Sequence, residues 1–224
     1  MNAIRYLGHA SFQIQLDNII CLVDPCIADT MNGHSRTVPS ALQPHAVREC
    51  DLIFLTHEHA PHCEPDTIKE IAERTFASVV APKPALSLID ISERFKVDVR
   101  TGDKFTIKGL DIEVVKAVHP QSTYPVGYVM RSPKYSIYHA GDTYSYLDMG
   151  RIKCDVAILP IGGSYTMDPF AAANVCKEMR PKYAIPMHYN TYEKITQEAS
   201  EFTSALGEAT RGIVLRPGET AKLP

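Results

Sequence analysis

The chain has 224 residues, 45% of them hydrophobic and 22% charged, with a formal net charge of −3. That length and apolar content suit one sizeable domain around a single core, and the slightly acidic balance excludes a general attraction to nucleic acid or to an anionic membrane. No apolar run approaches the roughly 20 residues that span a bilayer, and residues 1–5 lack the apolar centre of a signal peptide, so a cytoplasmic protein is expected. The six cysteines, Cys21, Cys26, Cys50, Cys63, Cys154 and Cys176, form no C-x-x-C pair and mostly adjoin apolar runs, which predicts reduced thiols.

Residues 3–7 predict a strand, and Gly8-His9-Ala10-Ser11 turns it into an alternating strand over 12–16. The nearly all-apolar run 19–23 predicts a deeply buried strand that ends on Asp24-Pro25. Within residues 26–45, the stretch 29–37 is polar, turn-rich and without either period; a mobile flap beside the histidine loop is expected, with His34 and Arg36 as its candidate substrate contacts, or else a disordered excursion without function. Another apolar run, 51–55, leads into Thr56-His57-Glu58-His59-Ala60-Pro61-His62, after which Pro65 opens a helix with apolar positions at Ile68, Ile71 and Ala72.

Strands are expected over 78–81 and 97–99, with a helix over 84–91 between them. A hairpin of 104–107 with 111–118 ends on His119-Pro120, and paired strands over 126–130 and 135–138 end on His139-Ala140-Gly141-Asp142-Thr143. The buried run 155–160 ends on Ile161-Gly162-Gly163, Asp168-Pro169 opens a helix through 179, and the run 182–187 ends on His188-Tyr189-Asn190. A helix over 196–206 and a strand over 212–215 complete the pattern; no linker appears, so a single domain over 1–224 is expected.

Three imidazoles in the loop between a buried strand and a helix can converge on one point, which suits a metal, and neutral imidazole is a preferred ligand of zinc. A metal-bound water loses its proton near neutral pH, so the pattern points towards hydrolysis. The same event, a strand followed by a potential ligand, recurs at Asp24, His119, Asp142 and His188. If those strands share sheets, their ends meet at one edge and form one site.

These motifs in this order resemble the metallo-β-lactamase superfamily, in its compact branch of uncharacterised metal-dependent hydrolases related to ascorbate-6-phosphate lactonase. The resemblance rests on Leu7-Gly8-His9-Ala10-Ser11-Phe12, Asp24-Pro25, the 56–62 loop, His119, the 139–143 stretch, Leu159-Pro160-Ile161-Gly162-Gly163, Pro186-Met187-His188-Tyr189-Asn190 and Arg216-Pro217-Gly218-Glu219. It implies a four-layer αβ/βα sandwich, two mixed sheets face to face with helices outside. It also implies a first metal on His57, His59 and His119, a second on His62 and His188, and Asp142 bridging both. Zn2+ is the cofactor expected, as one or two ions, with Mn2+ and Fe2+ as alternatives.

One position departs from the resemblance. The family pattern is H-x-H-x-D-H, and the place of its aspartate is taken by Pro61, whose side chain offers no donor or acceptor. The second site is therefore expected to be weaker, or completed by His9, Glu64, Cys63 or water, with His9 preferred. The implied chemistry is attack of a metal-bound hydroxide on a phosphoryl or carbonyl centre, with Asp142 and His9 as the expected catalytic residues. The expected substrate is a small phosphodiester or phosphorylated lactone, with Tyr165 and Asn190 as further lining candidates. Long nucleic acid is not expected; a short oligonucleotide and a homo-oligomer remain open. The alternative is a non-catalytic or single-metal binding protein whose second site Pro61 impairs; a di-iron oxidoreductase is a further rival.

Overall fold

The computed structural model describes residues 2–31 and 33–224. Its first half runs through β1 (Ala3–Gly8), β2 (Ser11–Leu16), β3 (Ile19–Val23), the short strands β4 (Thr30–Met31) and β5 (His34–Ser35), β6 (Leu52–Phe54), α1 (Pro65–Thr75), β7 (Ser78–Ala81), the short helix α2 (Lys83–Leu86) and β8 (Lys96–Asp98). The second half adds β9 (Lys104–Ile107), β10 (Leu110–Lys116), β11 (Val126–Arg131), β12 (Ser136–His139), β13 (Val156–Pro160), α3 (Pro169–Met179), β14 (Tyr183–Met187), α4 (Ala199–Ala205), β15 (Arg211–Gly212) and β16 (Thr220–Lys222).

Two seven-stranded sheets result, in the orders β16-β1-β2-β3-β6-β7-β8 and β15-β14-β13-β12-β11-β10-β9. In each, hairpin-linked strands pair antiparallel and the remaining neighbours run parallel, except that β16 closes the first sheet antiparallel to β1. This is the αβ/βα sandwich that the motifs imply. The apolar runs are explained by burial on both faces. Val23, Phe54 and Val80 stand side by side in register and face the core shared with Tyr128 and Met130, whereas Leu22, Ile53 and Val79, one residue back, face α1 through Ile68, Ile71 and Ala72. A strand covered on both sides has no polar face to show, so alternation is lost and a continuous apolar run remains. On the other sheet α3 buries Ala172, Ala173 and Cys176; Pro169 occupies its first turn, and Asp168 Oδ1 accepts from Ala171 N at 2.7 Å.

Several expected elements differ. The helix expected over 84–91 stops at Leu86, because Ile89 and Ile91 both turn into the core, and residues two apart cannot share one helix face. The helix expected over 196–206 begins only at Ala199, since Gln197 N donates to Asn190 Oδ1 while Asn190 Nδ2 donates back to the Gln197 carbonyl. The strand expected over 212–215 pairs only at Arg211–Gly212, and β16, absent from the sequence reading, pairs with β1. The flap, expected to lack regular structure, contains the β4–β5 pair, with Thr30 opposite Ser35 and Met31 opposite His34; Asn32 lies outside the described residues.

The two sheets are joined directly at one edge, where Val126 N donates to the Thr56 carbonyl at 3.0 Å. Gly141 sits against that junction at φ +62°, and a Cβ there would lie 2.8 Å from Thr56 Cβ and 2.9 Å from the Val126 oxygen. Gly141→Ala should therefore cost about 2–4 kcal/mol in chemical denaturation, from overpacking and from a left-handed alanine together. A loss under about 1 kcal/mol would mean that the junction yields freely.

Candidate metal centre

Strand ends from both sheets deliver the candidate ligands to this edge. His57, His59 and His62 follow β6, His119 follows β10, Asp142 follows β12, His188 follows β14, and His9 lies in the β1–β2 turn. His57 Nε2 and His119 Nε2 approach His59 Nδ1 to 3.1 and 3.2 Å. Asp142 Oδ2 stands 3.9 Å from His57 Nε2, 3.8 Å from His119 Nε2, 3.3 Å from His62 Nε2 and 3.1 Å from His188 Nε2. Three overlapping groups have their donor atoms within 4.8 Å of one another: His57, His59 and His119; His57, His62 and Asp142; and His9, His62 and His188.

The outward nitrogen of most of these rings is already committed. His62 Nδ1 donates to Asp24 Oδ2 at 2.8 Å, His119 Nδ1 to the Tyr165 carbonyl at 3.1 Å and His59 Nε2 to the Gln121 carbonyl at 3.1 Å. Thr56 Oγ1 donates to Asp24 Oδ2 at 2.7 Å, so the hydroxyl accepts from His57 Nδ1 at 3.0 Å. Wherever the ring is neutral, as at His57 and His119, it then presents a lone pair on its inner nitrogen. Lone pairs facing one another at 3.1–3.2 Å repel unless a positive charge lies between them, which is the situation of an imidazole-bound metal whose outer shell fixes the tautomers.

The electrostatics agree. Burial pushes His9, His57 and His119 below the usual imidazole range, keeping them neutral, the form that binds metal. Burial also opposes charge on His62, but Asp142 and Asp24 outweigh it and hold its pKa up to about 10. Burial would raise the Asp142 carboxyl, yet His188 and His62 hold it well below the usual carboxylate range. An ionised, buried carboxylate thus concentrates positive charge around itself. Asp142 Oδ1 and His9 Nε2 are buried without a hydrogen-bond partner. Each such group costs about 1–3 kcal/mol if left unpaired, so the donor set fits a divalent cation.

Other expected residues fall elsewhere. Asp24, a strand-end candidate, does not face the donors directly: its carboxylate accepts from Thr56 N, Thr56 Oγ1 and His62 Nδ1. Cys63 Sγ points to the Ala85 carbonyl at 3.8 Å within the helix-side core, and Glu64 Oε2 accepts from Ile27 N and Thr67 Oγ1, both at 2.8 Å. Arg36 does not reach the cavity lining; its Nε donates to the Val38 carbonyl, and its guanidinium packs on Gly8, where a Cβ would meet Nη2 at 2.6 Å. Asn190 is occupied by Gln197. His34 stacks on Tyr192, with centroids 5.8 Å apart and planes 7° apart, and Thr37 ties the flap down by donating to the Thr191 and Asn190 carbonyls.

Beside the histidines and Asp142, a cavity of about 240 Å³ is walled by Pro61, Gln121, Tyr165 and Tyr192, with no lysine or arginine among its lining residues. Gln121 and Tyr192 carry no signal in the sequence, since neither closes a periodic run. A groove of about 390 Å³ lined by Arg5, Gln13 and Arg48 contains none of the ligand candidates.

Residues 3–188 match the beta-lactamase superfamily domain. A UPF0173 metal-dependent hydrolase of Thermococcus kodakarensis is 36% identical with all of both chains covered, and one of Caldivirga maquilingensis is 35% identical over all of this chain and 99% of that one. Among solved structures, Igni18, a metallo hydrolase of the archaeon Ignicoccus hospitalis, superposes with a TM-score of 0.82 at 29% identity, covering 98% of this chain and 97% of that one. The sandwich, the histidine-rich edge and these full-length likenesses lead to one assignment: the chain belongs to the metallo-β-lactamase superfamily and, within it, to the UPF0173 family.

Proposed function

We propose that the protein is a metal-dependent hydrolase of a small phosphodiester or phosphorylated lactone. In this reading His57, His59 and His119 would hold one divalent cation, His62 and His188 would serve a second, and Asp142 would serve both. The observation that carries it is the convergence of His57 Nε2, His59 Nδ1 and His119 Nε2 on one another, each with its outer nitrogen already bonded, with the buried Asp142 carboxylate 3.9 and 3.8 Å from His57 and His119. Nitrogen-rich donors favour zinc over harder cations, with iron(II) and manganese(II) as alternatives.

A bound divalent cation supplies a Lewis acid that makes water nucleophilic near neutral pH and stabilises negative charge developing on oxygen. The chain's own residues position the reactants. Asp142, with Oδ1 free of any protein partner, accepts and orients a proton of the attacking water. Asp24 keeps the His62 ring turned inward, and Tyr165 does the same for His119. Tyr165 and Tyr192 wall the cavity, and the flap covers Tyr192 through His34. A cavity of about 240 Å³ holds a small substrate, below the size usual for drug-sized ligands. Walls without lysine or arginine suit a singly charged phosphodiester, whose charge the cations meet, better than a substrate with a remote phosphate dianion.

The six free cysteines support a reducing, cytoplasmic setting, and among the described residues no helix is long and apolar enough to cross a membrane. The test is turnover of a panel of aryl phosphodiesters, cyclic nucleotides and phosphorylated lactones after loading with zinc, manganese or iron. Hydrolysis of one class, dependent on metal, is expected; one ion per chain with no turnover across the panel would favour a metal-binding protein whose second site Pro61 impairs.

His57→Ala should remove the first ion and the activity together, and wild-type metal content at wild-type rate would refute the ligand assignment. Asp24→Asn replaces an acceptor of three hydrogen bonds by a group that must also donate. It should lower thermodynamic stability by about 2 kcal/mol and metal affinity by about 10–100-fold, measured by denaturation and by titration calorimetry. Chelation of the loaded protein should lower its Tm, since a ligand bound at about 100 times its Kd adds about 2.7 kcal/mol; an unchanged Tm would show that no ion was bound.

A further inference from the structure

The second cation site has too few donors on the family's own pattern. His62 and His188 supply imidazoles and Asp142 a shared oxygen, while Pro61 lines the cavity at the place of the motif's aspartate and offers nothing. Of the potential donors that follow it in sequence, Glu64 is engaged with Ile27 and Thr67, and Cys63 is buried against Ala85.

His9 remains, and its geometry is that of a ligand. Its ring lies 4.1 Å from that of His188 and 5.4 Å from that of His62, centroid to centroid, and the donor atoms of the three lie within 4.8 Å of one another. Nδ1 is held at 2.6 Å by Thr191 Oγ1, which leaves Nε2 facing the cluster, wholly buried and without a hydrogen-bond partner. The backbone is committed to this placement: His9 takes a left-handed φ of 60°, and its carbonyl accepts from His188 N at 2.8 Å and from Tyr6 Oη at 3.1 Å. A histidine that merely filled the core would gain nothing by aiming an unpaired nitrogen at two other imidazoles.

We infer that His9 Nε2 is a ligand of the second cation, replacing the aspartate that Pro61 displaces, so that three imidazoles and the shared Asp142 carboxylate serve each ion. The inference rests on the reading that the cluster binds divalent cations. It has a chemical consequence: exchanging a carboxylate for an imidazole makes the second site softer and richer in nitrogen, which shifts its preference from manganese towards zinc.

The test is zinc stoichiometry by elemental analysis and stepwise affinity by titration calorimetry. Wild type should bind two zinc ions per chain, and His9→Gln should keep the first while weakening the second at least tenfold. A second ion bound by His9→Gln within threefold of wild-type affinity would overturn the assignment. Should His9→Gln not fold, Thr191→Val removes only the hydroxyl that fixes the ring; about tenfold weaker second-ion binding is expected, and unchanged binding would overturn the proposal. In an equimolar zinc and manganese mixture both wild-type sites should load zinc, and manganese in the second would speak against His9. One ion on wild type would refute the role of His9 and leave the hydrolase reading standing, whereas no ion would refute both.

Discussion

A single buried carboxylate, that of Asp24, organises the edge at which the sheets meet. It stands at the end of β3 and accepts the Thr56 amide, the Thr56 hydroxyl and His62 Nδ1, so the loop after β6 hangs from the neighbouring strand. Because Thr56 Oγ1 donates to Asp24, it is left to accept from His57, and one acceptor sets the tautomer of two rings. Tyr165 and Gln121 contribute backbone carbonyls that do the same for His119 and His59. The inner nitrogens of His57, His59 and His119 are thereby aimed at one point, whereas the inner nitrogen of His62 carries a proton towards Asp142 that a cation would displace.

The placement stores strain. His9, Asp24 and His188 adopt φ values of 60°, 45° and 56°, a region that costs non-glycine residues about 1–2 kcal/mol each. The fold sustains it through two bonds across the sandwich, His188 N to the His9 carbonyl and Val126 N to the Thr56 carbonyl, and one within the first sheet, Asp24 N to the Phe54 carbonyl. Cohesion at this edge and the geometry of the donors are therefore one property, and a change that loosens one loosens the other. The flap adds to it from outside, where Thr37 bonds to the 190–191 segment and His34 covers Tyr192.

Proline at position 61 alters the balance between the two halves of the cluster. The first three imidazoles depend on the 56–59 segment and His119, none of which needs a donor at 61. The other half lies between β14 and the β1–β2 turn, on the opposite side of Asp142, and there a rigid apolar wall replaces a carboxylate. Burial would raise the Asp142 carboxyl, and His188 and His62, the imidazoles nearest to it at 3.1 and 3.3 Å, outweigh that.

The order of strands and the positions of the candidate ligands were legible in the sequence because of one repeated physical event. A strand buried on both faces reads as an apolar run, and the polar residues just after it, Asp24, Thr56-His57, His139 to Asp142 and His188, mark where the chain leaves the core. Short or weakly patterned segments were not legible: β15 and β16 bury little, and the end of α2 was decided by the inward turn of Ile89 and Ile91. What the sequence by itself determined was the set of donor types and the strand ends that carry them. Only the tertiary structure decided which nitrogen of each ring faces inward, that Asp24 orients while Cys63 and Glu64 are engaged elsewhere, and that His9 stands beside His62 and His188. The reason is range: burial periodicity is written locally, whereas the orientation of a ring is set by an acceptor as distant in sequence as Asp24 from His62 or Tyr165 from His119.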